Sequence, residues 1–100
     1  MMSQFDVHKL QSGPGLVIDC QADLHRDLPT RFVVPLIAVE NPEASEARLA
    51  PRFAIAGVSM VMATQFAGSI PQRALGPVVE SLDTERHRVI GAIDALVTGI

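Results

Sequence analysis

The feature that most limits what this chain can fold into is the order of its two apolar periodicities. Up to about residue 82 the apolar residues fall in short alternating or β-branched runs separated by turn residues. Only from Asp83 onward does their spacing become helical. Parallel strands need a long crossover between them, usually a helix, and no helical pattern separates these runs. The order predicts an antiparallel, sheet-rich α+β fold, barrel-like or sandwich-like, closed by one C-terminal helix. The 100 residues suit a single domain spanning 1–100.

The strands can be placed one by one. "QFDVHKL" alternates Phe5, Val7 and Leu10 against polar neighbours, "SGPG" (12–15) is turn punctuation, and "LVIDC" (16–20) is β-branched, so 5–20 predicts a hairpin. "QADLHRDLPT" (21–30) predicts a loop. "RFVVPLIAV" (31–39) is the most strand-like run, and Pro35 inside it predicts an edge or bulged position. "ENPEASEAR" (40–48), with Glu40, Glu43 and Glu46, predicts an acidic surface loop or short helical turn. "RFAIAGVSMVMAT" (52–64) predicts two strands joined at Ala56-Gly57, where glycine supplies positive φ. "QFAGSIP" predicts a connection, and "RALGPVV" a last short strand ended by Gly76-Pro77.

From Asp83, a good N-cap, Val89, Ile90, Ile93, Leu96, Val97 and Ile100 follow helical spacing. They predict an amphipathic helix of about four turns that Thr98 and Gly99 end, with Gly99 free to be left-handed. The sequence finishes on an apolar residue with no polar tail. Two readings stand: the helix end packs on its own sheet, or it forms a contact surface with Ile100 as an apolar anchor.

Composition narrows the function. The hydrophobic fraction is 48% with no Trp or Tyr, so the apolar mass is mostly small aliphatic side chains, with area to spare for a second protomer. Net charge is −3, with one Lys and seven scattered Arg, which speaks against gripping nucleic acid. The single Cys20 excludes an internal disulfide and suggests a reducing compartment. No apolar run reaches the roughly 18 residues of a membrane span, and "MMSQFDVHKL" is not a signal peptide, so a cytoplasmic chain is expected.

No catalytic, metal or cofactor constellation is visible. His8, on an alternating strand, and His87, at the polar helix start, lack partners at metal-ligand spacing and are expected to be exposed or structural. His25, in "DLHRD" between Asp23 and Asp27, reads as a solvated turn residue, a base or a partner contact. Cys20 reads as a buried small hydrophobe. Met60 and Met62 read as core or dimer packing. Ser12-Gly13-Pro14-Gly15 lacks the Lys and the strand–helix context of a phosphate loop.

An ordered set of residues does resemble a known family. "LVIDCQADLHRDLPTRFVVPL" (16–36) carries the frame -D-x-Q-x-D-, a loop, then -R-φ-V-φ-P-L- (φ apolar), filled by Asp19, Gln21, Asp23, Arg31, Val33, Pro35 and Leu36. The ending is carried by Ile90, Ile93, Leu96, Val97, Gly99 and Ile100, and Arg48, Pro51 and Ile55 add a middle segment. This set resembles CcdB, the toxin of a plasmid-addiction toxin–antitoxin pair. The resemblance implies an SH3-like antiparallel β-barrel with a small β-wing and one C-terminal helix. It also implies a homodimer that poisons DNA gyrase by wedging between the two gyrase A polypeptides, trapping the cleavage complex without catalysis, and that a cognate antitoxin neutralises.

The family's gyrase-contacting positions fall on Leu24, His25, Asp94, Val97, Thr98, Gly99 and Ile100. Gly99 and Ile100 match the family, Thr98 stands where the family has Trp, Asp94 stands for an Asn, and His25 replaces an aliphatic residue. Two other functions remain in view. One is an endoribonuclease of the MazF/Kid type on the related barrel, for which His25, Asp23 and Arg31 are the candidates. The other is a non-toxic homologue that keeps only antitoxin binding.

Overall fold

The computed structural model describes residues 3–39 and 47–99. The acidic segment with Glu40, Glu43 and Glu46, and Ile100 at the other end, lie outside the described residues. The strands are β1 (Asp6–Leu10), β2 (Leu16–Asp19), β3 (Thr30–Ala38), β4 (Arg52–Ile55), β5 (Val58–Met62), β6 (Gly68–Pro71) and β7 (Leu75–Ser81), followed by α1 (Arg86–Thr98). All the pairings are antiparallel, as the absence of helical crossovers requires. The order is β4-β5-β3-β2-β1-β7, with β6 also pairing β3.

The sheet has to curl. β6 lies beyond β3 and β7 lies beyond β1, yet only the 3-10 turn Gln72–Ala74 joins them. The face enclosed by that curl holds a small cluster of Val17, Val33 and Leu75 with Leu10 and Ile70 against it. The opposite face carries the larger core, including Phe5, Val7, Ile18, Val34, Leu36, Phe53, Ile55 and Met62, closed by Leu82, Val89 and Ala92. Alternation along β1, β2 and β3 therefore sends apolar side chains to both faces, which makes the central strands nearly continuously buried.

The hairpins follow their turn residues. Gly13 and Gly15 take φ of +82° and +118° between β1 and β2. Between β4 and β5 both Ala56 (φ +51°) and Gly57 (φ +82°) are left-handed, the pattern of a two-residue turn that matches the twist of the flanking strands.

Four details differ from the sequence expectation. "QFAGSIP" is not only a connection, since Gly68–Pro71 is β6, paired with Thr30–Val33. One partly buried apolar residue, Ile70, was too little pattern to reveal it. Pro35 is neither at an edge nor bulged, because β3 is central. Its carbonyl accepts from Ala63 N, so its own missing donor faces the same side. That side is where the partner changes, from β6 (last pair Val33↔Gly68) to β5 (first pair Leu36↔Met62). The proline thus occupies a gap in the ladder.

Gly76-Pro77 does not end the last strand. β7 runs through both, with register shifts between His8↔Val78 and Leu10↔Leu75. Glycine is required there because a Cβ on Gly76 would lie 2.8 Å from the Lys9 carbonyl oxygen. Finally, Asp83 does not cap the helix. It opens a 3-10 turn, Asp83–Glu85, with no side-chain cap hydrogen bond, and its carboxylate pairs with Arg86. Gly99 does end α1 as expected, in the left-handed region (φ +75°), donating to Ala95 O.

Candidate docking surface

The candidate residues sit on two elements. The first is the segment after β2. Cys20 N donates to Phe32 O (2.8 Å), which carries the β2–β3 ladder one residue beyond β2. The chain then turns through a 3-10 turn, Asp23–His25, whose amides close on themselves: His25 N to Ala22 O, Arg26 N to Asp23 O and Leu28 N to His25 O. With no buried residue in that turn, Leu24 points outward and is 86% exposed. His25 is exposed as well.

Beneath this turn lies a buried ion pair. Asp19 and Arg31 are fully buried, and Arg31 donates to Asp19 Oδ2 through Nε (3.0 Å) and a terminal nitrogen (2.5 Å). Asp19 Oδ1 accepts from Gln21 N (3.1 Å). Gln21 spans the gap to the turn: its Oε1 accepts from Phe32 N (3.0 Å) and its Nε2 donates to His25 O (2.9 Å). From the N-terminal side, Gln4 N donates to Asp23 Oδ1 (2.9 Å) and Gln4 Nε2 to Cys20 O (3.1 Å). Cys20 is buried as expected. Burial pushes its thiol up to about 12, and the Asp19 carboxylate adds to this.

The second element is α1. Val89 and Ala92 are buried and Ile93 packs against the core. The apolar face predicted from spacing is thus split. Ile90 and Leu96 are exposed, and Val97 is 77% exposed. Ile90, Asp94 and Val97, at i, i+4 and i+7, form one outward stripe. Thr98 turns its hydroxyl back to Asp94 O (2.6 Å), and Gly99 is exposed. The 3-10 turn Thr64–Phe66 packs beside the helix and leaves Phe66 64% exposed.

The two elements meet at the wrong end for a single continuous patch. Gln4 ties the loop down, and its neighbour Phe5 lies under the Arg86 guanidinium, 5.6 Å from the ring centroid, at the first turn of α1. At ~1.5 Å per helical residue, Asp94 and Thr98 lie about 12 and 18 Å further along the axis. The chain therefore shows a loop patch and a separate helix-end patch.

The histidine readings resolve differently. His8 is buried and structural, with Nδ1 2.9 Å from Gly76 O; a carbonyl only accepts, so Nδ1 carries the hydrogen. His87 is exposed. The trio His25, Asp23 and Arg31 is not assembled. Arg31 is sealed against Asp19, Asp23 is tied to Gln4, and His25 faces solvent. Among the described residues no three His, Cys, Asp or Glu lie together to hold a metal ion. No described helix is long and apolar enough to cross a membrane.

The protein-family comparison matches the CcdB protein family over residues 4–99. The chain belongs to the CcdB family. Membership places it among toxins of toxin–antitoxin systems. No curated protein sequence matches the chain. A solved structure of the Mycobacterium tuberculosis toxin MazF-mt6 is similar over 92% of this chain and 95% of its own, with a TM-score of 0.73 and 15% identity. That likeness establishes the curled antiparallel barrel and its C-terminal helix.

Sequence reading missed three features of this CcdB-family surface. Phe66 and Ile90 are exposed apolar residues, and Gln21 bridges the loop to β3. "TQFAG" held one Phe among small residues, a faint signal. Nothing local marked Gln21 as a bridge, because its partners are 4 and 11 residues away.

A cavity of about 310 Å3 lies elsewhere, between β4 (Arg52, Phe53, Ala54), the end of β7 (Glu80, Ser81) and the start of α1. Arg88 reaches into it, 4.6 Å above the Phe53 ring, donating to Arg52 O (2.8 Å) and Glu85 (3.1 Å).

Proposed function

We propose that this chain, a single CcdB-like domain over 1–100, acts in the cytoplasm as a homodimer that docks on the gyrase A polypeptide of DNA gyrase and traps the gyrase–DNA cleavage complex. A cognate antitoxin neutralises it. It turns over no substrate and needs no cofactor, metal or direct nucleic-acid contact. The observation that carries this reading is the outward placement of large aliphatic side chains at family contact positions. Leu24 and Val97 are the most exposed large apolar residues among those described. Burying each such side chain against a partner contributes roughly 1.5–3 kcal/mol. Two separate patches per protomer suit a two-fold pair, which presents each of them twice.

The contact set is Leu24, His25, Asp94, Val97, Thr98, Gly99 and Ile100. Thr98 gives little area where the family has an indole, and its hydroxyl is turned back to Asp94 O. The experiment is capture of purified gyrase A, with sedimentation to give the oligomeric state and a gyrase cleavage assay on plasmid DNA. Binding, a dimer and accumulated cleaved DNA are expected. A monomer that neither binds gyrase A nor raises cleavage refutes the reading. Thr98→Trp should tighten binding by ~2 kcal/mol, about 30-fold, if the scaffold is intact. Incubation with RNA tests the ribonuclease alternative, which the sealed Arg31 does not favour.

A further inference from the structure

We infer that Gln21 is a positioning residue: its side-chain amide braces the Asp23–His25 turn against β3 and thereby sets how Leu24 is presented to a macromolecular partner. The inference rests on the docking reading above for its partner, and on geometry alone for the brace. Beyond Cys20 the loop leaves β3, and the Phe32 N–H has no β2 backbone group to receive it. Gln21 Oε1 takes that hydrogen at 3.0 Å, while Nε2 of the same amide donates to His25 O at 2.9 Å. One planar group thus links the strand to the turn.

The backbone of Gln21 is fixed independently, because its N–H is held by Asp19 Oδ1 and Asp19 is held by Arg31. The brace therefore starts from an immobile point. Leu24 makes no buried contact of its own to hold it. A glutamine is needed for both halves. Glutamate offers an acceptor to Phe32 N but sets a second acceptor against the His25 carbonyl, so it keeps one link and repels the other. Alanine loses both.

The test uses the full chain and two readouts. In native-state hydrogen exchange, Gln21→Ala should speed the Arg26 and Leu28 amides by roughly tenfold, about the worth of one net hydrogen bond. Val7, Ile18 and Val34 should be unchanged. Gln21→Glu should speed Arg26 and Leu28 while leaving Phe32 slow. Unchanged turn amides in both variants overturn the brace, whether or not gyrase A binds.

In binding to purified gyrase A, Gln21→Ala should weaken affinity by roughly tenfold at a temperature where circular dichroism shows the variant fully folded. The same substitution in a Leu24→Ala background should have little further effect, because residues that act through one another are not additive. Additive losses mean that Gln21 acts on its own account, which overturns the positioning role. If the wild type fails to bind gyrase A, the docking reading falls, and the exchange data still decide the brace.

Discussion

Replacing Arg31 by methionine should cost this protein much of its stability, because the residue is sealed from solvent against a single buried carboxylate. Arg31 gives two hydrogen bonds to Asp19 Oδ2, and both side chains are fully buried. Methionine matches the length of the stem and removes the cation, leaving a carboxylate enclosed with only the Gln21 N–H for company. Breaking a buried pair from one side costs ~3–5 kcal/mol. A domain of this size has ~5–15 kcal/mol in total. At ~4–8 °C per kcal/mol the melting temperature should fall by on the order of 20 °C.

The companion variant Asp19→Asn with Arg31→Met removes the charge but keeps an oxygen for Gln21 N. What remains is one poorly satisfied amide, ~1–3 kcal/mol, so the double variant should regain about 2 kcal/mol over the single one. Urea denaturation by circular dichroism, at one fixed protein concentration, measures all three proteins. A cost below about 1 kcal/mol for Arg31→Met, or a double variant no more stable than the single, refutes the argument that the pair is held together by mutual need.

Three further outcomes follow from the backbone and the thiol. Ala56→Gly should stabilise the chain by ~0.5–1 kcal/mol in thermal melts, because a β-carbon at φ +51° is strained and glycine is not. Gly76→Ala should destabilise it by ~1–3 kcal/mol, since the new methyl would stand 2.8 Å from the Lys9 carbonyl and β1 has to move. Cys20 should resist thiol reagents at pH 8 until the protein unfolds. Its folded thiol is raised from 9.0 to about 12, so above pH 9 only the unfolded chain releases this proton. That contribution to stability is full below pH 9 and is lost by up to ~1.4 kcal/mol per unit as the pH rises towards 12. Cys20→Ala should show no such slope in urea titrations over that range.

Local signals were legible and distant ones were not. The hairpins could be read because glycines at 13, 15 and 57 and strand alternation act within a few residues. Gly99 marked the helix end for the same reason. β6 was hidden because its identity comes from pairing with Thr30–Val33, some 38 residues earlier in register. Pro35 misled because a proline's tolerance depends on what faces its missing donor, and only the tertiary ladder shows that the partner on this side changes there from β6 to β5. The helix face was read one step off: spacing alone cannot say that Ala92, rather than Ile90, meets the core. For the surface, family likeness named Leu24 and Val97, but the Asp19–Arg31–Gln21 support under Leu24 is built from side chains whose partners only folding brings together.

The two rims of the sheet, β4 and β7, approach across one small cavity. Pro51 O is taken by Met62 N on the β5 side, so the next carbonyl, that of Arg52, faces outward. Exposed rims of this kind recruit strands from neighbouring molecules and seed fibres. Arg88 lies across this one, flat on Phe53 with a nitrogen on the Arg52 carbonyl. A side chain from the helix thereby sits where an added strand would have to pair, and occupies one of the edge carbonyls that such a strand would need.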